Sequence, residues 1–284
     1  VALIAIALTG CTGSRPVQLR LDNVEDSPPP ARPQETLRIG VVTVLSPKES
    51  FSAYRDFADY LGREAKLPAS LVLRKTYSEI NDLVRTGAVD LALVGYGGFL
   101  TGQKQFGMQL LAAGQVEGTT HSTSLVLVRA ESPAHNYQDL QDRAFAFTDP
   151  LSYSGHLALR ERLAGQGLLP ETFHSRIIYT FSHDGSVDAL MGRVVDGALV
   201  DAYWYRAHLS RHPELDGKLR VIARFETPGF MVSVTRPDLP DALKQSLQAI
   251  LTGMSESAGG RRALAGLMME RFVLPGGEGE QHGR

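Results

Sequence analysis

The sequence predicts an α/β protein built as two similar lobes, and three observations predict it. Strand-like apolar runs alternate with amphipathic helical patterns through most of the chain, the arrangement that packs helices onto parallel sheets. Two pairs of segments recur at nearly equal offsets, as two copies of one design would. Polar and aromatic residues gather where the apolar runs stop, and open parallel sheets bind ligands beyond the carboxyl ends of their strands.

The elements follow in order. Residues 1–11 read as the end of a signal peptide and its lipobox. Val1 to Leu8 is wholly apolar, too short for the ~20 residues that span a bilayer, and fits the apolar core of a secretory signal. Leu8-Thr9-Gly10-Cys11 places small residues before the one cysteine of the chain. Cleavage before Cys11 and lipidation of its thiol would leave a mature protein with no disulfide, so export is read from the signal and not from cysteine usage. Residues 12–36 are rich in Pro, Arg, Asp and Ser and include Ser27-Pro28-Pro29-Pro30, which reads as a disordered tether. Residues 275–284, rich in Gly and charge, read as a flexible tail.

The body between them, about 240 residues, is enough for two modest lobes. Leu37 to Leu45 is a Val- and Ile-rich strand, and Tyr54, Phe57, Ala58 and Leu61 keep helical spacing. Leu71-Val72-Leu73 is a short strand, Ile80, Leu83 and Val84 mark a helix face, and Leu91 to Val94 is a buried strand. After the strand at Leu125 to Val128 the order recurs. Ala144 to Phe147 is a strand, Gly155 to Leu163 a helix, and Arg176 to Phe181 a strand. Val187, Leu190, Met191 and Val194 mark a helix face before the strand Ala198 to Val200. Phe230 to Val234 reads as a strand returning to the first lobe, followed by two core-facing helices through Leu243 to Met254 and Leu264 to Met268. The lobes are therefore 37–122 plus 228–274, and 123–227. In the repeat, Ala88-Val89-Asp90-Leu91-Ala92-Leu93-Val94 matches Val194-Val195-Asp196-Gly197-Ala198-Leu199-Val200, and Val44-Leu45-Ser46-Pro47 matches Phe147-Thr148-Asp149-Pro150.

The most informative stretch is Phe147-Thr148-Asp149-Pro150-Leu151-Ser152-Tyr153-Ser154-Gly155. A strand stops, and hydroxyls then lead into a helix, whose first N–H groups lack partners and carry partial positive charge. Two serines there add O–H donors, an arrangement suited to a small oxyanion held by dipoles, although a Ser N-cap alone would also read this way. Net charge of −2 with 43% hydrophobic residues gives a normal core and no polyanion footprint, so nucleic acid is not expected as a partner.

That stretch, with Ser182-His183-Asp184 and Val195-Asp196-Gly197-Ala198-Leu199-Val200-Asp201, resembles the periplasmic phosphate/phosphite/phosphonate-binding proteins of ABC transporters. The resemblance runs from about Leu37 to Phe272 and includes Arg38-Ile39-Gly40-Val41. Members of that family carry a D-P-x-S-x-S-G loop, a later S-H-D, and an acidic residue after the next V-D-x-A strand. It implies a type II periplasmic-binding fold with two lobes, two crossover strands and closure over the ligand. By the same resemblance, Ser152 and Ser154 would bond the phosphorus oxygens, His183 would add a ring N–H, Asp201 would face the rest of the ligand, and Tyr96 would close from the first lobe. Tyr153 departs from the Thr usual between the serines, and Gly95-Tyr96-Gly97-Gly98 departs from the usual Gly-Pro turn. For Asp201 a helix N-cap is an equal reading.

The function expected is a lipid-anchored substrate-binding protein that delivers a small phosphorus oxyanion (phosphonate, phosphite or phosphate) to an ABC permease, held to the membrane through Cys11. It would act as a monomer, outside the cytoplasm, without cofactor or metal. A lipoprotein reporting to a sensor kinase is a second reading. Hydrolysis is not expected, because Ser152 lies in no G-x-S-x-G elbow and His208 and His212 lack the acidic partner of a metal-binding helix.

Overall fold

The computed structural model describes residues 36–43 and 47–275. Cys11 and its signal, the tether up to residue 35, the strand end and turn at Val44-Leu45-Ser46, and the tail past residue 275 lie outside the described residues.

Two mixed sheets carry the fold. The first orders its strands Arg271–Val273, Gln109–Gln115, Met231–Thr235, Leu91–Gly95, Leu37–Val42 and Ala69–Arg74, and the second Arg176–Tyr179, Ala144–Phe147, Gly197–Asp201, Ser122–Arg129 and Leu219–Thr227. In the first, β1 (Leu37–Val42), β2 (Ala69–Arg74) and β3 (Leu91–Gly95) run parallel. β4 (Gln109–Gln115), β10 (Met231–Thr235) and β11 (Arg271–Val273) complete it by antiparallel pairing. In the second, β6 (Ala144–Phe147), β7 (Arg176–Tyr179) and β8 (Gly197–Asp201) are the parallel trio. β5 (Ser122–Arg129) pairs antiparallel with β8 and with β9 (Leu219–Thr227). The chain thus passes from the first sheet to the second between β4 and β5, and returns between β9 and β10.

The repeated Val-Asp pair has a common physical job. The Asp90 carboxylate accepts the N–H of Arg38 near the start of β1 at 2.9 Å, and Asp196 accepts that of Ala144 at the start of β6 at 3.1 Å. In each case the aspartate N–H also donates to the carbonyl of that same residue, at 2.8 Å. Each Asp therefore pins the first strand of its trio to the third. Asp90 is fully buried and its charge is met by the Arg38 guanidinium at 2.7 Å, which a buried carboxylate requires.

Helices cover both faces of the sheets. α1 (Pro47–Ala65), α8 (Asp241–Gly253) and α9 (Ala258–Gly266) bury Phe57, Leu61, Leu247, Leu251 and Leu264 on one face of the first sheet. α2 (Tyr77–Arg85) and α3 (Tyr96–Phe106) bury Ile80, Val84 and Phe99 on the other. In the second lobe, α6 (His183–Met191) and α7 (Ala202–Arg211) bury Val187, Leu190 and Trp204 against one face. α4 (Ala158–Ala164) and the short α5 (Pro170–Phe173) bury Leu159, Leu163 and Phe173 against the other. Among the described residues no helix is long and apolar enough to cross a membrane.

Two departures from the sequence reading have local causes. The strand expected to Phe181 stops at Tyr179, because Phe181 takes φ of 61° and turns the chain into α6. The helix expected from Gly155 opens instead as a wide π-turn over Tyr153–Leu157, in which Leu157 N–H donates to the Ser152 carbonyl at 2.9 Å. α3, which the sequence reading did not assign, carries three glycines, poor helix formers; Gly97 and Gly98 let it lie close against the Leu151–Tyr153 backbone and the Tyr77 ring.

Candidate functional site

The serine loop is fixed by its own hydrogen bonds. β6 ends at Phe147, and the Asp149 carboxylate accepts Leu151 N–H at 2.7 Å while its carbonyl accepts Ser152 N–H at 2.9 Å. Ser152 Oγ accepts Gly155 N–H at 3.1 Å, which caps the turn and leaves the hydroxyl proton to point elsewhere. A Cβ on Gly155 would overlap Thr148 Oγ1, so only glycine lets the turn close on the strand end. The Ser154 hydroxyl has no hydrogen-bond partner among the described residues, and the residue lines the cavity beside the loop.

His183 opens α6 behind its own cap, where Ser182 Oγ accepts Gly185 N–H at 3.1 Å. Its Nδ1 accepts Asp201 N–H at 3.4 Å. Burial holds the imidazole pKa below its ordinary value, against the opposing pull of Asp201 and Asp184. The ring is therefore neutral, and with Nδ1 accepting, the proton sits on Nε2 as a donor. Trp204 stacks on it at 5.2 Å.

Asp201 ends β8 and caps α7. One carboxylate oxygen accepts Tyr203 and Trp204 N–H at 2.9 and 3.0 Å, and the other accepts the Ser122 hydroxyl. The N-cap reading of this residue holds, and the same carboxylate also borders the cavity.

The first lobe supplies the facing wall. Tyr96 begins α3, its N–H donates to the Phe230 carbonyl at 2.9 Å, and its ring meets that of Tyr153 at 6.2 Å. Tyr153 itself turns its hydroxyl away and donates to Glu161 at 2.6 Å. Tyr77, at the start of α2, is a residue the sequence reading missed. Its phenol lies beside the Ser152 hydroxyl, and burial first, then Asp149, pushes its pKa up, so it is a neutral donor. Its spacing to Ile80 and Val84 reads as core. The position of its helix start, opposite the serine loop, is what identifies it. Phe230, Met231 and Met268 were also missed, since apolar side chains carry no chemical signature in sequence.

The structure brings Tyr96, Ser152, Tyr153, Ser154, His183 and Asp201 together around one cavity of about 40 Å³, room for a few waters or one compact anion. Tyr77, Trp204, Phe230, Met231 and Met268 complete its walls, and no Lys or Arg is among the residues lining it. What it offers an anion is hydroxyl, imidazole and backbone dipoles. Among the described residues no group of His, Cys, Asp and Glu side chains could hold a metal ion.

Comparison with known proteins bears on the family and the fold. The family model for periplasmic substrate-binding proteins of phosphonate ABC transporters matches residues 39–276. PhnD1 from Prochlorococcus marinus, solved in complex with methylphosphonate, superposes with a TM-score of 0.77 at 14% identity, covering 88% of this chain and 96% of that one. A binding-protein component of an ABC phosphonate transporter from Pseudomonas aeruginosa also gives 0.77, at 20% identity over 84% of this chain and 81% of that one. The alkanesulfonate-binding protein of Xanthomonas axonopodis pv. citri, bound to MOPS, is more distant, with a TM-score of 0.58 at 21% identity, over 82% of this chain and 79% of that one.

Proposed function

The chain belongs to the periplasmic substrate-binding proteins of phosphonate ABC transporters, and from that membership we propose that it captures a small phosphorus oxyanion between its lobes and presents it to a permease. The family is one of binding proteins, not of enzymes. In this reading Ser152, Ser154, His183 Nε2 and the Tyr77 phenol donate to the phosphorus oxygens, while Tyr96 and Tyr153 close the mouth. The single observation that carries it is the convergence of these neutral donors on one cavity with no cation among its lining residues. Hydrogen bonds to a charged acceptor contribute about 1.5–3 kcal/mol each, so three or four suffice without a counter-ion.

The lobes, 37–122 plus 228–274 and 123–227, would hinge at the two connections between the sheets. Cys11 would carry the lipid anchor, with residues 12–36 as its tether. The test is calorimetry of the protein against phosphite, phosphate, methylphosphonate and sulfate. Micromolar or tighter binding of at least one phosphorus oxyanion, and weaker binding of sulfate, is expected. Binding of sulfate alone, or of none, would sink the reading.

A further inference from the structure

The residues lining the cavity are of two chemical kinds. One is the donor set of Ser152, Ser154, His183 and Tyr77. The other is a wall of Trp204, Phe230, Met231 and Met268. Phe230 is braced by Tyr203, edge to face at 5.9 Å, and Trp204 is clamped between His183 and His208 at 5.2 and 4.6 Å. These walls are apolar, and their main-chain acceptors are partly spent, since the Phe230 carbonyl already takes the Tyr96 N–H.

The one carboxylate among the lining residues is Asp201. It is 2% exposed, and its oxygens already accept Tyr203 N–H, Trp204 N–H and the Ser122 hydroxyl. A carboxylate has about four lone-pair positions, and an ammonium brings three donors. One remaining position leaves two of the three ammonium donors to find acceptors elsewhere among these walls. Using more of the carboxylate positions would uncap α7 and strip Ser122 of its acceptor.

Resting on the reading of this cleft as a phosphorus-oxyanion site, we infer that Phe230, Met231, Met268 and Trp204 form a substituent box that selects phosphonates bearing a small uncharged group and rejects aminoalkyl phosphonates. An ammonium placed there loses its water and regains at most one acceptor position from the carboxylate, a cost that outweighs what the oxyanion donors supply. A methyl or ethyl group instead gains contact with aromatic and thioether surface.

The test is calorimetry of the full chain with methylphosphonate, n-propylphosphonate and 2-aminoethylphosphonate. The last two have the same shape and differ in charge. The aminoethyl compound is expected to bind at least about a hundredfold more weakly than the propyl compound. Phe230→Glu, with Met268→Glu as a second variant should the first fail to fold, should narrow that gap at least about tenfold by supplying an unengaged carboxylate. Aminoethylphosphonate binding the wild type within tenfold of propylphosphonate would overturn the box and leave the oxyanion site standing. Failure of all three, and of phosphite, to bind would overturn both.

Discussion

The Asp149 carboxylate accepts the backbone N–H of Tyr77 at 3.2 Å across the cleft while its other oxygen accepts Leu151 N–H at 2.7 Å within its own loop. One buried side chain thus ties the start of α2 in the first lobe to the serine loop of the second. Other contacts run beside it. The Tyr96 and Tyr153 rings meet, and the Lys75 ammonium sits 5.0 Å over the Phe181 ring. The lobes are in contact, with the cavity between them.

Asp149→Asn tests that tie. The amide oxygen can keep the Leu151 bond, but its NH2 group then faces the Tyr77 N–H, donor against donor. Loop and lobes should stay folded while closure weakens, with ligand affinity falling about tenfold or more. Calorimetry gives the affinity, and small-angle scattering with saturating ligand should show a more open particle than the wild type. Wild-type affinity in a folded Asn variant would remove the tie from the binding account.

Gly97 makes a second, steric test. A Cβ there would overlap the Leu151 carbonyl oxygen and lie 2.9 Å from the Tyr153 nitrogen, both in the opposite lobe. Gly97→Ala places that methyl in a helix, where alanine is favoured over glycine by about 1 kcal/mol. The ligand-free protein should therefore melt no lower than the wild type, yet bind at least about a hundredfold more weakly. Fluorescence of Trp204, stacked on His183, should lose its response to ligand. An unchanged affinity would show that the liganded form is not this arrangement of the lobes.

Much of this was legible from the chain. The Val89-Asp90 and Val195-Asp196 pairs mark the junctions into β3 and β8, because each Asp serves the same strand-pinning role and so recurs with its flanking apolar residues. The serine loop was legible because its capping hydroxyls and its glycine must occupy fixed spacings. β4, β9 and α7 were not. Gln109–Gln115 mixes Ala, Gly and Gln, and Leu219–Thr227, at a sheet edge, is half-buried over its first five residues and exposes only Arg224 and Glu226, so neither shows a clean strand signal. α7 carries Trp and Tyr beside Arg and His with weak amphipathy. Tyr77 and Phe230 were hidden for another reason: nothing local separates an aromatic that packs in a core from one that faces a cleft.

Acid should destabilise the fold. His174 is buried, its ring bonded to the Tyr137 hydroxyl at 2.8 Å and the Leu140 carbonyl at 3.2 Å, and burial lowers its pKa to about 4. His156 and His183 are lowered too, again chiefly by burial. The unfolded chain binds protons near pH 6.5 that the native rings refuse, so this stability is complete above about pH 6.5 and is lost as pH falls toward 4. For His174 alone the loss reaches about 3 kcal/mol. Asp149, raised by burial, acts in the opposite direction. Its contribution is present below the ordinary aspartate range and declines as pH rises through its raised pKa. Urea melts from pH 7 to pH 4 should show the net fall, and His174→Gln should flatten it. A wild-type stability that is constant over this window would contradict the assignment of neutral buried histidines.

Cys11→Ala addresses the anchor. If the lipid sits on that thiol, the variant should leave the membrane fraction and still bind ligand with wild-type affinity, since the tether precedes the lobes. Fractionation followed by immunoblotting reads the first outcome and calorimetry the second. A variant that stays in the membrane fraction would rule out lipidation at Cys11.

The serine pair gives the sharpest test of where the anion sits. Ser152 is partly spent as a cap, its Oγ accepting Gly155 N–H, so Ser152→Ala removes a cap and a donor together and should lower both stability and affinity. Ser154 caps nothing among the described residues yet borders the cavity, so Ser154→Ala isolates the donor. Its melting temperature should match the wild type, and affinity for every phosphorus oxyanion should fall by a similar factor, roughly tenfold to a hundredfold, the loss of one hydrogen bond to a charged acceptor. Ser154→Asp sets a carboxylate against the anion where no Lys or Arg lines the cavity to offset it, and should abolish binding. Tyr153→Thr should act differently. That ring packs on Tyr96 and anchors its hydroxyl on Glu161, so its loss opens the mouth and should change the ranking among substituents more than it changes phosphite binding. Melts of each ligand-free variant separate unfolding from loss of contact. A folded Ser154→Asp that still binds at wild-type affinity would place the anion elsewhere, and the donor set assigned to Ser152, Ser154, His183 and Tyr77 would have to be abandoned.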